Sequence, residues 1–250
     1  MMHRGFRPPN CVETRFDTAS LGKFFTAVTV FRMIDRGLIG LGEKVRDIVD
    51  LEGTRIPRDL AGAHCLTHSS GIADDADEEA GEDYGEIFKT KPCYTLREAS
   101  DFLPQFAHKE PIFPAGTKSR YNNCAHVLVG LAIEAKTGLP FRKLVERGVL
   151  APAGLPSSGY FAKDGIEPNV AEGYASIEGK DGCNPGVAAI AMRYPKSEGF
   201  VAVLANQDAS SPRPRASLDD GSASKIVGRP LGAHKLRDTL YLMNWRPFVL

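Results

Sequence analysis

The sequence is poor in what several protein classes require. It carries no net charge, with 31 Lys+Arg against 31 Asp+Glu and a pI near 7.0. No uniform field therefore draws it to a polyanionic nucleic acid or an anionic membrane, and no nucleic-acid partner is expected. Its longest uncharged apolar runs, Val127 to Ile133 and Phe200 to Ala205, fall far short of the roughly 18 residues that a membrane span needs. The amino-terminal stretch Met1-Met2-His3-Arg4-Gly5-Phe6-Arg7-Pro8-Pro9 is positive but has no apolar segment behind it. That does not match a secretory leader, so a cytoplasmic location is the expectation. The five cysteines, Cys11, Cys65, Cys93, Cys124 and Cys183, are scattered singly with no C-x-x-C spacing. Free thiols in a reducing compartment suit them better than a disulfide framework or a zinc site.

What is present describes a globular chain of 250 residues, 42% hydrophobic and 25% charged, enough for one large domain or two small ones. From Phe16 to Gly37 the apolar residues recur at helical spacing over nearly the whole circumference. This predicts a helix buried on most sides, in the middle of the fold. Asp17, Thr18 and Ser20 favour its start and Gly37 its stop. Leu41, Val45, Ile48 and Val49 mark a short helix, and the acidic run from Asp74 to Glu86 reads as a solvated loop without the ligand spacing of a calcium site. Asn122-Asn123 opens a second helix with Val127, Leu128, Leu131, Ala132 and Ala135 on one face, closed by Gly138. A third follows Pro140, with Phe141, Leu144 and Val145 inward. The runs Gly186 to Tyr194 and Gly199 to Asn206 predict a β-hairpin. Residues 209–250 turn Pro-, Arg-, Gly- and Ser-rich and read as a linker-like tail, with a short helix over Lys235 to Met243, behind one domain of residues 1–208.

The sharpest chemical feature is Ser20-x-x-Lys23 at a helix start. One turn brings the lysine amine to the same face as the hydroxyl, and burial disfavours an ammonium, so an amine there can take up the serine proton. The helix start also supplies main-chain N–H groups where an oxyanion would form. Two rival constellations are weaker. His64-x-x-x-His68 with Cys65 has helical metal-ligand spacing but no third ligand at a recognised distance. Cys124 and His126 suggest a thiol nucleophile, but two residues apart on a helix they do not face each other.

Three further segments follow in order: Leu66-Thr67-His68-Ser69-Ser70-Gly71, then Tyr121-Asn122-Asn123, then Lys180-Asp181-Gly182-Cys183. Together with Ser20-Leu21-Gly22-Lys23 they resemble the serine β-lactamase and penicillin-binding-protein superfamily, in its branch of class C β-lactamases, DD-peptidases and β-lactamase-like esterases. The flanks Phe24-Phe25-Thr26-Ala27 and Gly116 to Tyr121 are similar too, and the resemblance runs over roughly residues 5 to 207. It implies an α/β (α+β) fold, an antiparallel sheet flanked by helices, with a helical lobe within about residues 38–175 and the site between them. It implies Ser20 as the acylated nucleophile, Lys23 as the amine that helps deprotonate it, and Tyr121 as a proton shuttle. Asn123 would hold Lys23 and a substrate amide. Lys180 would orient the substrate, Gly182 would complete the third motif, and the N–H groups of Ser20 and Cys183 would form the oxyanion hole. It implies a small-molecule or peptide acyl substrate (an ester, peptide or β-lactam carbonyl) and neither metal nor organic cofactor. The oligomeric state stays open. A catalytically silent relative that binds a ligand or protein in the same cleft is the alternative.

Two departures bear on that picture. Asp181 takes the middle place of the third motif, and a carboxylate beside Lys180 partly neutralises the cation that would anchor an anionic substrate, favouring a neutral ester or amide. The chain is also short for the resemblance: an opening helix and two strands have no counterpart, and Glu178-Gly179 joins the segment of Tyr174 directly to Lys180.

Overall fold

The computed structural model describes residues 11, 13–82, 87, 91–92, 95–161, 167–171, 173, 188–194, 199–205 and 243–244. Helix α1 (Gly22–Asp35) is entered through the 3-10 turn Ala19–Leu21. The Asp17 carboxylate accepts the Ala19 N–H at 2.9 Å just ahead of it. The helix ends as predicted at Gly37, whose φ of 68° lets its N–H reach Ile34 O at 2.8 Å and that of Leu38 reach Met33 O at 3.0 Å.

Helix α1 is not buried on most sides. It buries Phe25, Thr26, Thr29, Val30 and Met33, while Phe24 and Phe31 are 65% and 52% exposed. The central position belongs to α4 (Cys124–Thr137), which follows the short helices α2 (Gly62–Leu66) and α3 (Leu103–Phe106). Every residue from Cys124 to Gly130 in α4 is buried, as are Ala132 and Ile133. The apolar face predicted for it extends too far, because Ala135 is exposed where the helix leaves the core. Gly138, at φ 67°, closes it with an N–H bond to Glu134 O of 2.8 Å. Small side chains at Ala125, Gly130 and Ala132 let neighbouring segments approach α4 from all round, whereas the phenylalanines of α1 reach past the core.

Around α4 the core gathers Phe102, Phe106, Leu60, Ile72, Leu128 and Phe141, all at most 2% exposed. Phe102 and Phe106 lie one turn apart where the 3-10 turn Ala99–Phe102 runs into α3. After Pro140, α5 (Phe141–Val145) buries Phe141, Leu144 and Val145 as expected, then widens into a π-helical turn, Glu146–Leu150. The short helix expected near Val45 is a 3-10 turn, Val45–Asp47, with Val45 buried.

The predicted hairpin forms. Strands β2 (Ala188–Tyr194) and β3 (Gly199–Ala205) pair antiparallel from Ala188↔Ala205 to Tyr194↔Gly199, and β2 runs beside the Ala19–Leu21 turn. Strand β1 (Tyr160–Phe161) pairs parallel with β4 (Met243–Asn244), so Met243 belongs to a short strand and not to a helix; the rest of Lys235 to Met243 lies outside the described residues. No helix among the described residues is long and apolar enough to cross a membrane.

The segment after α2 passes close against the main chain of Phe113. Gly71 has φ 66°, and a Cβ there would sit 1.9 Å from the carbonyl oxygen of Phe113. Gly71→Ala is therefore expected to lower the unfolding free energy by at least about 2 kcal/mol. The effect is read as a lower urea midpoint at unchanged slope; an unchanged midpoint would contradict this close approach.

Candidate active site

Ser20 lies in the 3-10 turn that opens α1, with its side chain exposed, directly after Ala19, which holds an uncommon left-handed backbone at φ 48°. One turn on, Lys23 Nζ donates to Ser20 Oγ at 3.4 Å and, more closely, to Asn123 Oδ1 at 2.7 Å. Ser20 Oγ and the Tyr121 hydroxyl share a hydrogen bond of 2.6 Å. The Lys23 amine also stands over the Tyr121 ring, 4.8 Å from its centre. Four of the sequence-predicted residues thus meet, although Tyr121 is 101 positions from Ser20. The other three, Lys180, Gly182 and Cys183, lie outside the described residues, as does Asp181.

Tyr121 and Asn123 are presented by the start of α4, and that start is built from a distance. Asp74 accepts the N–H of Asn123 at 2.8 Å on one carboxylate oxygen and that of Cys124 at 2.9 Å on the other. Asn122 accepts the Ala125 N–H at 2.7 Å through Oδ1 and donates to Ile72 O at 2.9 Å through Nδ2. These bonds satisfy N–H groups that a helix start leaves without intrahelical partners, and a carboxylate is favoured at its positive end. Arg120 pairs with Asp77 at 2.7 Å and Glu79 at 3.5 Å, and Glu79 also accepts the Tyr121 N–H at 3.3 Å. The acidic run is therefore not simply a solvated loop: its first residues hold the tyrosine segment, and Asp75 is only 7% exposed. No local pattern marks Asp74 for this task, since its partners lie about fifty residues downstream.

The rival constellations resolve into other work. Helix α2 ends at Leu66 and His68 takes a left-handed backbone at φ 55°, so the spacing of His64 and His68 is not helical. His64 Nδ1 accepts the Ala61 N–H and His68 Nδ1 that of Asn122, both at 3.2 Å. Burial pushes the Cys65 thiol up to about 12 and the Cys124 thiol well up, leaving both protonated and poorly nucleophilic. Asp74, Asp75 and Cys124 bring potential ligand atoms within 4.8 Å of one another. Both Asp74 oxygens already receive α4 N–H groups, so the cluster has the chemistry of a helix cap.

His126, on the first turn of α4, is 2% exposed, and its Nδ1 finds no hydrogen-bond partner among the described residues. Burial, followed by the charges of Lys23 and His68, pushes its imidazole from 6.5 down to about 3.

Two outcomes follow from this geometry. Asp74→Ala is expected to cost about 1–2 kcal/mol of stability by uncapping α4, measured by urea denaturation. His126 binds its proton more weakly in the folded chain than in the unfolded one, so below pH 6.5 the unfolded state holds more protons. Its contribution is complete above pH 6.5 and is lost on acidification toward about 3, at up to about 1.4 kcal/mol per pH unit. Denaturation at several pH values should show a shallower acid loss in His126→Gln than in the parent; equal slopes would refute the assignment.

Comparisons with known proteins show the family. The family model described as Beta-lactamase matches residues 3–180. Penicillin-binding protein 4 of Amycolatopsis lactamdurans is 24% identical over 227 residues, covering 89% of this chain and 56% of its own length, so the chain spans little more than half of that relative. Among solved structures, a penicillin-binding protein from Bacillus halodurans aligns with a TM-score of 0.76 at 29% identity, covering 83% of this chain and 86% of that one. An octameric penicillin-binding protein homologue from Pyrococcus abyssi aligns with a TM-score of 0.57 at 25% identity, covering 71% and 40%. With its fold, its motif order and most of its length matched, the chain belongs to the beta-lactamase family, within the serine β-lactamase and penicillin-binding-protein superfamily.

Proposed function

We propose that this chain is a serine hydrolase, its domain spanning residues 1–208, that forms an acyl-enzyme on an ester, peptide or β-lactam carbonyl. The observation that carries the reading is the linked set Ser20–Tyr121–Lys23–Asn123, with bonds of 2.6, 3.4 and 2.7 Å. Family membership and the order of the motifs support it. A hydroxyl that touches two proton carriers can lose its proton as it attacks, and an exposed Ser20 leaves room for an acyl group.

In the first half-reaction the Ser20 oxygen bonds to the carbonyl carbon while its proton passes to Lys23 or Tyr121. The carbonyl oxygen becomes an oxyanion, for which the family resemblance assigns the N–H groups of Ser20 and Cys183 as donors. Collapse breaks the bond to the leaving group, which takes that proton back from the Lys23–Tyr121 pair through the Tyr121 hydroxyl. In the second half a water attacks the acyl carbon, gives its proton back to the pair, and Ser20 leaves reprotonated. Asn123 fixes the Lys23 amine throughout, and the family resemblance assigns substrate binding to Lys180 and Gly182. Asp181 beside Lys180 weakens the pull on a substrate carboxylate, so a neutral ester or amide is the favoured donor.

A fluorophosphonate probe is expected to label the parent on Ser20, and Ser20→Ala to abolish the adduct. Short-chain p-nitrophenyl esters are expected to turn over faster than a chromogenic cephalosporin. Ser20→Ala should lose at least about 10³-fold in kcat/KM, and Tyr121→Phe about 10²–10⁴-fold. A folded parent without a Ser20 adduct or Ser20-dependent turnover refutes the enzyme reading and leaves a silent ligand-binding relative.

A further inference from the structure

His68 belongs to no step above, yet it is tied to the chain on both sides of Tyr121. Its carbonyl oxygen accepts the Arg120 N–H at 2.8 Å, and its Nδ1 accepts the Asn122 N–H at 3.2 Å. Between those two anchors its ring stacks on the Tyr121 ring, with centres 4.6 Å apart and planes at 28°. Behind it the His126 ring follows at 5.1 Å. The left-handed backbone of His68 is uncommon for a residue with a side chain and turns the ring to this place.

We infer that His68 is a positioning residue for Tyr121: its ring and its Nδ1 acceptor together set the phenol so that the hydroxyl rests on Ser20. The inference rests on the serine-hydrolase reading for its catalytic consequence, but the positioning itself does not. A phenol swings about its first side-chain torsion with its hydroxyl at the far end, so a small rotation there carries the oxygen off the serine. The stacked imidazole opposes that rotation from one residue, and the two main-chain bonds hold this residue in register with the tyrosine.

The Nδ1 bond works only while that nitrogen keeps its lone pair, so the proton of the neutral ring is on Nε2. Proton uptake at Nδ1 would set two donors against each other at Asn122 and add a cation beside the site. The groups that face His68 are Lys23 from α1, Tyr121 and Asp74 from the segments that meet at the start of α4, and His126 from α4 itself; Arg120, Asp77 and Glu79 adjoin them. Burial, then the Lys23 charge, hold its imidazole below 6.5, against the opposing charge of Asp74. The clamp is therefore closed near neutral pH and opens on acidification.

The test uses His68→Asn and His68→Phe in the full chain. Asparagine tolerates a left-handed backbone and keeps an acceptor near the place of Nδ1 but loses the stacked ring; phenylalanine keeps a ring and loses the acceptor. With p-nitrophenyl esters, both variants are expected to lose about 10²-fold in kcat with KM within about twofold. In both, the acid limb of the kcat/KM profile below pH 6.5 should shift or vanish. The second measurement needs no turnover. In protein carrying 13C at the tyrosine Cζ, the Tyr121 signal, assigned with Tyr121→Phe, is expected to move with one titration below pH 6.5 in the parent and to stay flat in both His68 variants. A parent without turnover but with this titration refutes the hydrolase reading and keeps the positioning role. A Tyr121 signal with the same pH course in the parent and both variants overturns the positioning role, as does unchanged kcat in an active parent.

Discussion

One carboxylate, Asp74, receives the first two main-chain N–H groups at the start of α4, those of Asn123 and Cys124. That helix lies in the middle of the core, so its first turn cannot turn to water for these bonds, and a buried N–H without a partner is costly. The cap therefore decides where α4 begins. Where α4 begins decides where Asn123 points, and Asn123 holds the Lys23 amine at 2.7 Å. A distant acidic residue thus sets the geometry of a lysine on another helix.

The same region solves an electrostatic problem. Lys23 reaches Ser20, Asn123 and the face of the Tyr121 ring, while the two nearest imidazoles are held below their ordinary value by burial first and by the lysine charge second. Keeping His68 and His126 uncharged adds no further positive charge beside the Lys23 amine. It also leaves Nδ1 of His68 free to accept a hydrogen bond, so the charge balance and the placement of the phenol are one arrangement.

Much of this was legible in the residue order. Ser20 and Lys23 are one turn apart, so their meeting is a local matter, and the left-handed glycines at Gly37 and Gly138 end their helices where the pattern said. The hairpin of β2 and β3 is likewise a local pairing of adjacent runs. Less readable was which helix lies at the centre. The apolar circumference of α1 looked more buried than that of α4, but small residues in α4 allow close approach from every side, and Phe24 and Phe31 on α1 do not. The acidic run from Asp74 likewise reads as solvated, because its partners are far along the chain.

What the sequence determined by itself was the identity of the chemical groups and the family: a hydroxyl, an amine, a phenol and an amide in a recognisable order. Only the tertiary structure decided that they touch. Tyr121 and Asn123 reach Ser20 and Lys23 across about a hundred residues, and that closure depends on the Asp74 cap and on His68 held between Arg120 and Asn122. Hydrogen bonds between segments so far apart leave no periodicity in the chain, so they become visible only when the fold has brought their ends together.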